Sequence, residues 1–361
     1  MNIEEVSIDT HKYYLDVVKI IAILLVIFNH TGSRGYVLFT EYHDVSQWKY
    51  YFYMLFGIFA KMGVPLFIMC SGVVLLGKKE NIKSVIKNRF FKYLIALIIF
   101  SAINYMYQFY CMHTIDRLSI KDFMITIYTS KMATAYWYLY AYLAYILVIP
   151  FLRLLNENMK QNHYEYLILL VFALRIWGSI QLLLWGGNIV LNSSFSFYIT
   201  SDFFFFPLVG YYLDQYKLGK KRSSIKIRML IVSLLAVALS CISVNRWCEV
   251  LGEWKEGTCQ NFLNSFPFIF AICLFWYIKD IFDRNNCPIK VKKSIRLLGE
   301  GTFGVFLFEG ICRNITDFVY TELYNNIGSM TASILWVLAA FTLGEIITYI
   351  IKKVPIINRF I

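Results

Sequence analysis

Charge is scarce in this sequence. Asp, Glu, Lys and Arg make up 16% of its 361 residues, against about 25% in an ordinary soluble domain. Apolar residues reach 58%. That pairing excludes a soluble globular protein, a disordered chain and a fibrous one, and leaves an integral membrane protein. Period-two alternation is missing as well. The apolar stretches run on unbroken, which excludes a β-barrel and points to an all-α, polytopic fold. Loops long enough to fold separately are also missing, so residues 1–361 read as one membrane domain.

Other absences narrow the reading further. The eight cysteines show no metal-ligand spacing, and no metal is expected. Cys70, Cys111, Cys241, Cys273 and Cys312 read as packing residues in or beside apolar runs. Cys248 and Cys259 share one outward loop, where a bridge and two thiols are equally open. The first apolar run follows Glu4, Glu5 and Asp9 and has no small-residue cleavage site, so it is expected to stay as the first helix. No internal repeat relates residues 1–180 to 181–361, which counts against a transporter built from matching halves.

What is present is a series of runs near the 20 or so residues that a membrane crossing needs. Residues 93–115, 132–152, 176–201, 229–245, 257–278 and 325–344 contain no Asp, Glu, Lys or Arg. Weaker runs, short or with isolated charges, cover 15–30, 62–77, 166–184, 203–213 with its leading residues, and 301–320. With the overlapping 166–184 and 176–201 taken together, the expectation is ten transmembrane helices.

Lys and Arg total 35 against 23 Asp and Glu, a net charge of +12. In a soluble protein this excess would suggest nucleic acid. Here it sorts by loop, and no nucleic-acid partner is expected. One set of loops, with both termini, holds 23 of the 35 basic residues. The opposite set holds seven: Arg34, Lys49, Arg117, Lys121, Lys131, Arg246 and Lys255. Lys19, Lys61, Lys92, Arg175 and Arg313 lie in or at the edge of the runs. Basic loops stay in the cytoplasm, so both termini are expected there.

Ionisable residues inside the bilayer are costly and point to function. The first run carries Asp16, Lys19 and His30. Lys19 and His30 are eleven residues apart, close to three helical turns, which puts them on one face about 16 Å apart along the axis. Asp16, three residues before Lys19, shares that face. Taken singly, Lys19 also reads as a snorkelling anchor and His30 as a wet helix end.

The stretch 15–30, with Asp16, a base at Lys19 and His30 eleven residues on, resembles the opening helix of the acyltransferase 3 family of membrane acyltransferases. Phe67, Ser71 and Gly72 are similar to that family's second-helix Phe-x-x-x-Ser-Gly. Arg89, Phe90, Phe91 and Lys92 resemble its basic lead into the third helix. Trp137, Tyr138 and Leu139, with Tyr145 and Pro150, resemble its fourth. Residues 297–308 resemble its ninth. The resemblance runs in order over nearly the whole chain. Two departures stand out: Lys replaces the usual Arg at Lys19 and Lys92, and Glu309 stands where the family has His.

The resemblance implies an acyl group, in the first instance acetyl, taken from cytoplasmic acyl-coenzyme A. It implies a hydroxyl acceptor on a cell-surface glycan or lipid-linked saccharide, in a bacterial plasma membrane. Arg89 and Lys92 would then meet the coenzyme A phosphates, with Lys19 beneath them, and Asp16 would hold Lys19. His30 would act as general base or accept the acyl group itself. Ser71 lines a channel or packs helices. Glu309 either orients His30 or pairs with Arg313 four residues on. Tyr36, Trp48, Trp137, Tyr138, Trp185 and Trp254 stack on sugars or form an interfacial belt. Beside the lipid bilayer, self-association is compatible with the sequence.

Two other classes compete. A polysaccharide or solute exporter would use Arg175, Asp202, Glu309, Asp317 and Glu345 along a pathway. A membrane sensor would need no route joining His30 to a basic mouth. Acyl transfer from acyl-coenzyme A by purified protein separates the enzyme from both.

Overall fold

The computed structural model describes residues 11–185, 201–215, 222–254, 266–284 and 287–361. Helices follow in the order α1 (Tyr13–Asn29), α2 (Gln47–Ala60), α3 (Gly63–Leu75), α4 (Phe91–Cys111), α5 (Ile120–Thr129), α6 (Trp137–Asn158), α7 (Gln161–Trp185), α8 (Asp202–Gln215), α9 (Arg222–Leu251), α10 (Pro267–Arg284), α11 (Ile289–Ile315), α12 (Asp317–Ile327) and α13 (Ser329–Ile351). No strand occurs among the described residues. Among the described residues, five continuous helical stretches are long and apolar enough to cross a membrane: Gln47–Leu75, Ile82–Cys111, Thr134–Asn158, Ser224–Leu251 and Ser329–Ile351.

α1 is the axis of the bundle. It packs against α2, α3, α10, α11 and α13. Its sequence has no Gly or Pro to interrupt it, so the backbone ladder runs unbroken until His30, where φ and ψ become −92° and 5°. The chain turns there because Gly32 takes a positive φ of 59°.

Close helix approach depends on small residues, as expected where lipid gives no hydrophobic drive. A Cβ on Gly72 of α3 would stand 2.1 Å from the Pro207 carbonyl oxygen of α8. A Cβ on Gly210 of α8 would stand 2.3 Å from the Met69 carbonyl oxygen of α3. The two glycines let these backbones touch reciprocally.

Three differences from the sequence reading have physical causes. α2 was not expected, because Lys61 breaks the charge-free run at 62. The helix nevertheless forms over the aromatic-rich 47–60, and only Lys61 and Met62 separate it from α3. α11 starts at Ile289, ahead of the apolar 301–320. Apolarity reports the part suited to lipid, whereas a helix needs only its backbone ladder, so the basic turn at Lys290, Lys292 and Lys293 is helical too. Residues 317–327 form the separate α12, and α13 is displaced toward the C-terminus, ending at Ile351. Residues 186–200 and 257–265 of two expected runs, and Cys259 of the considered bridge, lie outside the described residues.

Candidate active site

A cavity of about 1170 Å³ follows α1 for most of its length. One end is lined by Lys12, Asp16, Lys19, Lys78 and Arg89; the other by Asn29, His30, Lys61, Trp137, Arg175 and Asp202. Lys19 and His30 both line it, so the shared face read from their spacing faces one continuous space.

At the Lys19 end, Asp16 is the organising acid. It is 1% exposed. One oxygen meets Lys19 Nζ at 2.6 Å and the other meets His11 Nε2 at 2.5 Å. The carboxylate fits because α11 presents Gly299 to it, where a Cβ would lie 2.3 Å from the Asp16 Cβ. Lys12 Nζ reaches Asp214 at 2.7 Å and the Tyr14 hydroxyl donates to the same carboxylate at 2.5 Å, tying α1 to α8.

Arg89 sits on a π-helical turn, Ile86–Phe90, just before α4. Such turns re-aim side chains and are common at functional sites. Its fork grips Glu80, Nε at 2.8 Å and Nη2 at 2.6 Å. Arg153 of α6, 5% exposed, donates to the same carboxylate at 2.8 Å and to the Leu75 carbonyl at 2.9 Å. The bonded Arg89 guanidinium, with Arg153 assisting, holds the Glu80 carboxyl down at about 2. Lys92, half-buried one turn on, is not among the residues lining the cavity. Ser71 lines it, with its hydroxyl bonded back to the Ile68 carbonyl at 2.7 Å, while its neighbour Gly72 makes the helix contact. The two readings of the Ser-Gly pair are thus divided between its two members.

At the other end, the imidazole of His30 backs onto α11. Nδ1 stands 3.3 Å from Glu309 Oε2, within ion-pair reach though off the line of a well-directed hydrogen bond. Glu309 is 3% exposed. Its other oxygen accepts from Arg313 Nε at 2.9 Å, and the Arg313 carbonyl accepts from Trp336 Nε1 at 2.9 Å. Glu309 therefore faces His30 with one oxygen and Arg313 with the other. It lies behind His30 and not on the cavity wall. α11 is braced here by Tyr136, whose hydroxyl donates to the Leu307 carbonyl at 2.7 Å and accepts from Asn104 at 2.8 Å.

Glu80 and Arg153 were missed from the sequence. No motif singles either one out, and only their distance to Arg89 and to each other reveals them. Of the candidate exporter residues, Arg175 and Asp202 line the cavity as a 2.5 Å ion pair. Asp317 pairs with Arg34 instead, and Glu345 packs against Gly301. Trp137 and Tyr138 line the cavity, Trp48 is exposed, and Trp254 stacks on His43 at 4.0 Å beside a separate small hollow. Among the described residues no cluster of His, Cys, Asp and Glu is placed to hold a metal ion.

A family model described as an acyltransferase domain matches residues 12–353. The chain belongs to the acyltransferase 3 family. The match spans Asp16, Lys19, His30, Arg89 and Glu309 alike, so all of the cavity lining except His11 lies within the matched region. The protein is a membrane acyltransferase. No curated protein and no solved structure matched the chain in the corresponding comparisons.

Proposed function

We propose that this acyltransferase takes its acyl group, acetyl in the simplest case, from acyl-coenzyme A and transfers it to a hydroxyl of a cell-surface glycan or lipid-linked saccharide. In this reading the chain crosses a bacterial plasma membrane ten times, with both termini in the cytoplasm, as the loop charge asymmetry favours. The Lys19 end of the cavity then opens to the cytoplasm. The observation that carries the reading is one cavity with a carboxylate-backed imidazole at one end and clustered base at the other.

Coenzyme A phosphates would lie against Arg89 and Lys19. Two of the five Arg89 donors are spent on Glu80, leaving three for an anion. Asp16 keeps the Lys19 ammonium in place. The pantetheine arm would follow α1 past Ser71 and bring the thioester to His30. Glu309 favours the tautomer with its proton on Nδ1, which leaves Nε2 as the base. Nε2 removes the proton from the acceptor hydroxyl as its oxygen bonds to the thioester carbon. The carbon–sulfur bond breaks, and the imidazolium returns the proton to the departing thiolate. Glu309 stabilises the imidazolium between these two transfers, and Arg313 prevents the carboxylate from turning away.

The experiment is mass spectrometry of surface glycans from a deletion strain and a complemented one, beside acyl-coenzyme A turnover by the purified protein. Acyl esters lost on deletion and restored on complementation support the reading. Identical glycans, with no turnover of acyl-coenzyme A, would sink it and bring the exporter forward.

A further inference from the structure

Along the cavity the basic side chains are matched by acids, with two exceptions. Lys12 has Asp214, Lys19 has Asp16, Arg89 has Glu80 and Arg175 has Asp202. Lys78 is exposed at the Arg89 end, where water and salt screen it. Lys61 is the second exception, and it is half-buried. It occupies the break between α2 and α3, and among the described residues no carboxylate lies within ion-pair reach of its ammonium.

Its position relative to His30 is fixed twice over. Lys61 Nζ rests 4.7 Å from the centroid of the Tyr36 ring. Tyr36 is held by its backbone N–H, which donates to Thr31 Oγ1 at 2.9 Å, one residue from His30. Gly63, two residues after Lys61, packs so tightly on α1 that a Cβ would meet both the Ala22 carbonyl oxygen and a Val26 methyl at 2.9 Å. Lys61 is therefore level with the last turn of α1, which His30 terminates.

A ring face offsets only part of the cost of burying an ammonium. The neighbouring charges are already balanced: Glu309 has Arg313, and Asp202 has Arg175. Among the described residues lining the His30 end of the cavity, Lys61 is the cation left with no acid beside it. An ionisable group kept in such a place calls for a partner. The donor does not supply it, because the donor phosphates are assigned to the opposite end and a thioester is neutral.

We propose that Lys61 recognises the acceptor, binding a carboxylate or phosphate on the glycan whose hydroxyl is presented to His30. This rests on the acyltransferase reading above and narrows its acceptor to an anionic saccharide. A compact ammonium with three rotatable donors suits either anion.

Surface glycans from cells carrying the wild-type protein, Lys61→Gln or Lys61→Arg, and from a deletion strain, would be separated by anion exchange and their acyl esters measured. Hydrofluoric acid, which cleaves phosphodiesters and spares uronic acids, distinguishes the two sources of anion. The expected result is protein-dependent acyl ester in the anionic fraction, reduced roughly ten- to a hundredfold by Lys61→Gln and largely retained in Lys61→Arg. Acyl-coenzyme A binding by purified Lys61→Gln at the wild-type Kd would show that the bundle is intact. Should that variant fail to insert, the wild-type distribution and the Arg variant still decide. Acylation confined to neutral glycans in the wild type would overturn the proposal. So would unchanged anionic acylation in Lys61→Gln, or an equal loss from neutral and anionic acceptors alike. If wild-type and deletion strains carry the same acyl esters, the acyltransferase reading itself has failed, before any comparison at Lys61.

Discussion

The imidazole of His30 meets the carboxylate of Glu309 across 3.3 Å, joining the end of the first helix to the last third of the eleventh. The carboxylate is buried and anchored by Arg313. It stands where the family's pattern has histidine, and the oxygen not bonded to Arg313 faces His30.

His30→Ala and His30→Gln are both expected to lower acyl transfer by about 10²–10⁴, the usual range for loss of a general base. Gln keeps hydrogen bonding but cannot take the proton. Acyl-coenzyme A binding should stay near wild type in both. Acceptor modification by His30→Gln at near the wild-type rate would make His30 a packing residue.

Glu309→Gln removes the charge behind the imidazole and leaves a side chain of the same shape. The expected cost is the loss of the charge that stabilises the imidazolium, about 1–4 kcal/mol, or roughly five- to a thousandfold in kcat. KM for the donor should not move, because Glu309 is off the cavity wall. A changed donor KM with unchanged kcat would remove Glu309 from the catalytic step.

Arg89 and Glu80 can be separated by a pair of variants. Arg89→Gln is expected to weaken acyl-coenzyme A binding roughly tenfold or more, through the lost charged contact to phosphate. Glu80→Gln should lower thermal stability and leave donor Kd within about twofold, because it frees the Arg89 fork without removing it. Equal donor Kd in wild type and Arg89→Gln would refute the phosphate site.

The Glu80 carboxyl is held at about 2 in the folded protein by its guanidinium partners, below its ordinary value near 4.3 when unfolded. A depressed acid stabilises fully above the unfolded value and loses that contribution as pH falls through the folded one. Wild-type Tm should therefore drop more steeply than that of Glu80→Gln between about pH 4.5 and pH 2. Parallel Tm curves over that window would show that the clamp contributes nothing.

Topology is open to labelling from outside with a membrane-impermeant thiol reagent. In a background with Cys111, Cys248 and Cys259 all replaced by Ser, Lys121→Cys should react and Lys83→Cys should not. Both positions are exposed in the fold, so burial does not confuse the result. Labelling of Lys83→Cys alone would invert the orientation.

The sequence by itself determined the solvent, the element type and the axis of the site. Low charge and unbroken apolar runs leave only helices in lipid, because every backbone group must be bonded within its own segment. Helical periodicity alone put Asp16, Lys19 and His30 on one face. Tertiary structure decided what those residues meet. Glu309 was legible as a departure from a pattern, but its division between His30 and Arg313 needed α11 to pack on α1, which Gly299 permits beside Asp16. Arg89 was legible as base at a helix start; that its fork is occupied by Glu80, with Arg153 arriving from α6, was not. Lys61 looked like a charge that merely ended an apolar run. Periodicity reports which neighbours lie three or four positions away, whereas these pairings join residues that only the packing of separate helices brings together.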